Sequence, residues 1–241
     1  MFSDDTSLHC VVEDQTSAAE SLNEDIACIH QWSSDWGITF NATKTKSILF
    51  FRKNMANLPP LFFNGTMFEN SKSHMHLSVT FKSNGSWNNH INEIYTKARR
   101  RINILRMMKH KLDRKSLKKL YIGFIRPVLE YGGIVWDNCS LHESELLESV
   151  QVEAACIITG LRKGTSHAKL YTELGWVPLK ERRRTNKLIL LHKIIHDETP
   201  LYLLSAILLQ TNHQSGHNLR FNRVFEPPFC NTTSYECSFF P

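Results

Sequence analysis

Residues 87–112 run Trp87-Asn88-Asn89-His90-Ile91-Asn92-Glu93-Ile94-Tyr95-Thr96-Lys97-Ala98-Arg99-Arg100-Arg101-Ile102-Asn103-Ile104-Leu105-Arg106-Met107-Met108-Lys109-His110-Lys111-Leu112. Ile91, Ile94, Ala98, Ile102, Leu105, Met108 and Leu112 recur at steps of three and four, which predicts a helix with one apolar face. Lys97, Arg100, Arg101 and Lys111 fall off that stripe. Asp113 is placed to cap a second helix through Leu117, Leu120, Tyr121 and Phe124, ended or kinked near Pro127, with Arg114, Lys115 and Lys118 on its free face. A third helix opens on the capping box Ser140/Glu143 and passes Leu147, Val150, Ala154, Ile157 and Ile158 to Gly160. A short one, Ser166 to Leu174, stops at Gly175. A fifth follows Pro178, with Arg182-Arg183-Arg184 in an early turn and Leu188, Leu191, Ile194 and Ile195 as its apolar residues; Leu201 to Leu209 reads as a last helical piece.

Upstream of Trp87 the pattern is mixed. Ser17 and Glu20 form a capping box ahead of Leu22, Ile26, Ile29, Trp32 and Trp36, and Gly37 is suited to close that helix. Extended runs follow at Ile38 to Phe40 and Ser47 to Phe51, before the Pro59-Pro60 break. Asn64-Gly65 between Leu61-Phe62-Phe63 and Thr66-Met67-Phe68 signals a hairpin, and His76 to Phe81 reads as a further strand.

The 241 residues are 41% hydrophobic and 22% charged, which excludes collagen, coiled coil and disorder over the full length. Six cysteines without a Cys-x-x-Cys pair are too sparse for a disulfide scaffold. Met1-Phe2 leads at once into Ser3-Asp4-Asp5, with no basic and apolar leader, and Leu201 to Leu209 falls far short of the roughly 20 apolar residues of a membrane span. An intracellular protein, nuclear or cytoplasmic, neither secreted nor in a membrane, is expected. The net +6 is uneven: residues 1–43 hold eight acids and no Lys or Arg, whereas residues 97–119 hold eleven bases and one acid. Such polarity suggests a carboxylate-bearing piece followed by one that meets phosphate.

Phe2-Ser3-Asp4-Asp5-Thr6-Ser7-Leu8, a helix, and then Trp36-Gly37-Ile38-Thr39-Phe40-Asn41-Ala42-Thr43-Lys44-Thr45-Lys46 resemble the reverse transcriptases of non-LTR (LINE-like) retrotransposons of the jockey type. In that family Ala is usual where Ser3 stands. His76-Leu77-Ser78-Val79-Thr80-Phe81 is similar to the family's primer-grip strand, with Ser78 where Gly is usual, and Phe124-Ile125-Arg126-Pro127-Val128-Leu129-Glu130-Tyr131-Gly132 to its thumb segment. Leu174-Gly175-Trp176, Arg182-Arg183-Arg184, Asn218-Leu219-Arg220 and the closing Ser238-Phe239-Phe240-Pro241 resemble the region after the thumb.

The resemblance implies an RNA-directed DNA polymerase that adds dNTPs to a primer 3′ hydroxyl, with an RNA template and a DNA primer as partners. Two Mg²⁺ (or Mn²⁺) ions roughly 3.5 to 4 Å apart would activate that hydroxyl and stabilise the leaving pyrophosphate. Asp4 would be a metal ligand, Asp5 a secondary ligand or stabiliser, and Lys44, with Lys46 as its alternative, the cation at the triphosphate. Leu77, Ser78 and Val79 would form the primer grip. Lys97, Arg100, Arg101, Lys111, Arg114, Lys115, Lys118, Arg182 and Arg183 would hold nucleic-acid backbone. The family's remaining aspartate and its fingers belong upstream of the Asp-Asp box, so the expectation is a fragment inactive by itself.

The fold class read from the sequence is therefore α+β: a partial right-hand polymerase palm over 1–85, a mainly helical thumb and connector over 86–197, and a C-terminal connector over 198–241. Two rival functions are a non-catalytic retroelement remnant and a basic helical nucleic-acid-binding fragment. A zinc site of His213, His217, Cys230 and Cys237 is disfavoured, because Cys-x6-Cys exceeds the usual structural spacing. A Ser-His-Asp hydrolase lacks a nucleophile elbow.

Overall fold

The computed structural model describes residues 6–10, 15–50, 59–162, 164–205, 209–210 and 224–225. Helices and short strands divide into two compact units, Met1–Trp87 and Asn88–Pro241, an α+β composition.

In the first unit, α1 (Gln15–Asp35) buries Ala19, Ile26 and Ser33. Ser17 and Glu20 lie inside the helix, which is already formed at Gln15, so their spacing does not mark its start. Trp32 and Trp36, expected on the apolar stripe, are 41% and 71% exposed. At about 100° per residue Trp32 stands well around the helix from the Ala19–Ile26–Ser33 line along which the core forms, and Trp36 lies beyond the helix end in the closing turn. The C-terminus closes as a Schellman motif: Gly37 has φ +65°, its N–H donates to Ser34 (3.3 Å), and Ile38 N–H donates to Ser33 (2.8 Å).

Asn23 fastens α1 to the chain beyond Pro59. Its amide donates to the Pro60 carbonyl (3.3 Å) and its oxygen accepts from Phe62 N–H (3.0 Å). The strands are shorter than the sequence suggests. Lys46–Ser47 (β1) pairs in parallel with Glu69–Asn70 (β4), and Ile38 to Phe40 is not strand. Hydrophobic residues alone make no strand without a ladder partner. Phe62–Phe63 (β2) and Thr66–Met67 (β3) form the expected hairpin, with Asn64 and Gly65 at φ +47° and +74°.

The expected strand His76 to Phe81 is instead the tip of a second hairpin. Ser73–His76 (β5) pairs with Val79–Lys82 (β6) around Leu77 and Ser78, which stand at φ +47° and +62°. Two consecutive left-handed residues make a type I′ turn, whose backbone twist matches the flanking strands.

The second unit is helical. Asn88–Met108 (α2) buries Ile91, Ile94, Ala98, Ile102 and Leu105 and packs on Leu141–Thr159 (α6), which buries Leu147, Val150 and Ala154. Asp113 caps Arg114–Leu120 (α3) by accepting from Lys115 N–H (3.2 Å). The next turn, Tyr121–Ile125, widens to a π-helix before Arg126–Glu130 (α4) and Gly133–Trp136 (α5). Pro127 supplies no N–H to the ladder, and Arg126 N–H reaches back five residues to the Tyr121 carbonyl.

Ser140 and Glu143 make the expected capping box of α6, and Gly160 closes it in the left-handed region. His167–Leu174 (α7) ends on Gly175, also left-handed. Leu179–Ile195 (α8) buries Leu179, Arg183 and Ile194, while Leu188 is 59% exposed, on the opposite side of the helix from Arg183's line. The last piece splits: Leu201–Ser205 is helix (α9), and Leu209–Gln210 (β7) pairs antiparallel with Val224–Phe225 (β8). A short apolar run carries no period to separate these outcomes. No described helix is long and apolar enough to cross a membrane.

A polar network runs through this core. Tyr121 hydroxyl donates to Gln151 (2.7 Å), and the Gln151 amide donates to Glu148 (3.2 Å) and the Val177 carbonyl (3.0 Å). Glu148 also accepts from Tyr171 hydroxyl and Leu179 N–H. Burial, with nearby carboxylates, pushes both tyrosine hydroxyls well above their ordinary range, so they act as neutral donors.

Candidate nucleic-acid interface

The basic segment 97–119 divides by what each head group touches. Arg99 and Arg106 both pair with Glu153 of α6. Arg101 donates to the Phe124 carbonyl, and its guanidinium lies 4.4 Å from the centroid of that ring. Arg114 pairs with Glu173 (2.7 Å), and Lys118 donates to the Leu174 carbonyl. Lys97, Arg100, Lys109, Lys111, Lys115 and Lys119 are exposed, and their head groups make no ion pair or hydrogen bond among the described residues. Six of the eleven bases are therefore available to an external anion.

Helix geometry explains the sorting. The buried stripe of α2 leaves Arg99 on the flank facing α6, Arg101 on the flank facing the π turn, and Arg100 directed to solvent. From Lys97 to the end of α2 the axis rises roughly 16 Å, about five base-pair steps of duplex. Lys115 and Lys119 are four apart on α3 and share a face.

The second basic run behaves differently. Arg182 pairs with Glu130, which also receives Arg126 at 3.7 Å. Arg183 is 2% exposed, donating to Asp137 (2.7 Å) and Ser144 (2.7 Å) with its guanidinium 5.2 Å from the Trp136 ring centroid. Lys187 holds the other Asp137 oxygen at 2.9 Å. Burial alone would raise the Asp137 carboxyl, but hydrogen bonds from Lys187 and Arg183 outweigh it and hold it below its ordinary 3.8. Arg183 is thus a core residue, and of this triplet Arg184 faces solvent without a partner among the described residues. Burial likewise pushes the neighbouring Cys139 thiol up to about 11, so it stays protonated.

Other expected site residues scatter. Asp4 and Asp5 lie outside the described residues, as do His213, His217, Cys230 and Cys237. Lys44 is exposed in an Asx turn, where Asn41 Oδ1 accepts from Thr43 N–H (3.1 Å) and Lys44 N–H (3.2 Å). Lys46 is instead paired with Glu69 at 3.0 Å. Leu77 and Ser78 are exposed turn residues, and Val79 is buried. Among the described residues no three His, Cys, Asp or Glu side chains gather, so these residues offer no site for the divalent ions that the resemblance implies.

Sequence pattern missed Lys109 and Lys119 as free cations, although both are legible as off-stripe bases. It also missed the exposure of Phe124. The signal for that was Pro127, whose effect on the preceding turn alters which residues face inward.

Fold and charge together define a class: a small α+β unit followed by a helical one whose 23 bases exceed its 14 acids. The chain is similar to a "Probable RNA-directed DNA polymerase from transposon X-element" of Drosophila melanogaster, 20% identical over 176 residues, or 72% of this chain. It spans 19% of that relative's length. No protein-family profile and no solved structure matches the chain.

Proposed function

We propose that this chain is a distal part of the RNA-directed DNA polymerase of a non-LTR, jockey-type retrotransposon, and that its helical unit holds template–primer backbone as a thumb. The observation that carries this is the set of six uncommitted cations, Lys97, Arg100, Lys109, Lys111, Lys115 and Lys119, in a chain that over 72% of its length is similar to a transposon's probable RNA-directed DNA polymerase. Phosphate contacts of this kind hold a duplex without reading its sequence. Arg182 and Arg183, paired internally with Glu130 and Asp137, drop out of the binding set.

The test is fluorescence anisotropy of the full chain with an RNA–DNA duplex across a salt series. Binding should weaken linearly in log–log form, with a slope no steeper than about −5 for six phosphate contacts. An affinity indifferent to salt overturns the proposal. Catalysis belongs in this reading to the whole polymerase, in which Asp4 and Asp5 would supply two of the carboxylates for Mg²⁺. The family's further aspartate belongs N-terminal to that box. Mg²⁺-dependent primer extension by a polymerase that contains this segment should disappear in Asp4→Ala, and extension that survives the substitution overturns the role given to Asp4.

A further inference from the structure

We infer that Phe124 and Arg101 form a stacking site for an unpaired nucleobase, placed beside the phosphate-binding cations of α2. The inference rests on the nucleic-acid reading above and adds to it a preference for single strands.

Among the aromatic residues of the helical unit, Tyr121 and Trp136 are buried to 1% and 0%, whereas Phe124 is 36% exposed in the same run of chain. Its exposure follows from the π turn, which shifts Gly123 and Phe124 outward while Tyr121 and Ile125 stay in the core. Beside it, a side chain added at Gly123 would meet no atom within 4 Å, so a ligand can approach the backbone there.

Arg101 is fixed over this ring from two directions, by the 4.4 Å approach to the centroid and by its hydrogen bond to the Phe124 carbonyl. No carboxylate neutralises it among the described residues. Lys97 lies four residues earlier on the same flank of α2, exposed and unpaired among those residues, and Arg100 is adjacent.

An exposed ring, a planar cation held against it and further cations within a helical turn are the elements with which proteins bind single strands. The bases stack, and the backbone follows the charge. A duplex presents its base faces to each other, so this site takes a base only from a single-stranded segment.

Binding of the full chain is compared for a 12-nucleotide single-stranded RNA and an abasic ribose-phosphate strand of the same length. The two carry the same charge and differ only in the bases. The wild-type chain should prefer the base-bearing strand by about tenfold, the effect of one stacked base. Phe124→Leu should abolish that preference and leave abasic binding unchanged, while Phe124→Trp should keep it. Circular dichroism and a urea midpoint establish that each variant is folded. Equal affinity of the wild type for both strands, or a preference that survives Phe124→Leu, overturns the stacking site and leaves the phosphate-binding proposal standing. Absence of binding to either strand at low salt overturns both.

Discussion

Two arginine triplets, Arg99-Arg100-Arg101 in α2 and Arg182-Arg183-Arg184 in α8, are identical in sequence and spend their charges differently. Consecutive helical residues point about 100° apart, so neither run can present three guanidinium groups to one ligand. In α2 the outer two turn to flanking elements, Glu153 and the Phe124 carbonyl, and the middle one faces solvent. In α8 the middle one is the core residue, fitted against Asp137, Ser144 and Trp136, and the last faces solvent. Each run of three thus yields one free cation. Which one it yields is set by where the buried face of the helix falls.

The difference is greatest between the two middle residues. Arg183→Ala should destabilise the chain by about 3–5 kcal/mol in urea denaturation, because it empties the buried space against Trp136 and removes one of two cations from the half-buried Asp137 carboxylate. Arg183→Lys should recover little, since an ammonium cannot reach Asp137 and Ser144 together while lying along the Trp136 ring. Gly133 marks how closely the stem packs: a Cβ there would sit 3.3 Å from Arg183 Cγ and Cδ. A loss below about 1 kcal/mol for Arg183→Ala would make the two triplets equivalent and break the comparison.

The parts of the fold that were legible in sequence are those set by local chemistry. Asp113, Ser140, Gly160 and Gly175 terminate helices where their side chains, or the absence of one, predict. The period of α2 gave Ile91, Ile94, Ala98, Ile102 and Leu105 as its buried face, because a long helix repeats its pattern often enough to show through; it missed the buried His90 and ran on to Leu112, which lies past the helix end and is exposed. Apart from the Asn64-Gly65 hairpin, which local turn chemistry announces, the strands were poorly legible: the two-residue β1 ladder depends on β4, more than twenty residues away. Leu77-Ser78 lacks the Asn or Gly that would announce a type I′ turn, and the hairpin forms through the pairing of β5 with β6. In the candidate site, loose cations could be read as off-stripe residues. Arg183 could not, because its partner Asp137 is 46 residues away and a buried arginine reads as a surface one in sequence.

A milder perturbation tests whether the buried triplet is coupled to the start of α2. His90 is 2% exposed and meets Trp136 edge-on at 6.1 Å between centroids, on the ring that also carries Arg183. Burial lowers its pKa below 6.5, Glu93 opposing the shift and Lys97 adding to it. The unfolded chain therefore takes the proton more readily than the folded one. Stability should be complete above about pH 6.5 and fall as pH drops below it. His90→Asn, which does not titrate, should flatten the urea midpoint between pH 7 and pH 5.5 relative to wild type. Parallel profiles for the two proteins would show that the cluster around Trp136 does not sense His90.

The smallest effects belong to the solvent-facing members, and they separate stability from binding most cleanly. Arg100→Ala removes no hydrogen bond or ion pair among the described residues, so its urea midpoint should stay within about 0.5 kcal/mol of wild type. If Arg100 meets phosphate, the salt slope for duplex should become shallower by about one contact, with a modest loss of affinity that is the same for every duplex sequence. Arg184→Ala should be equally silent in stability, and comparing the slopes of the two variants locates the duplex. A change only in Arg100→Ala places it along α2 and α3; a change in both extends the contact to α8; a change only in Arg184→Ala moves it away from the 97–119 segment and reverses the roles assigned to the two triplets.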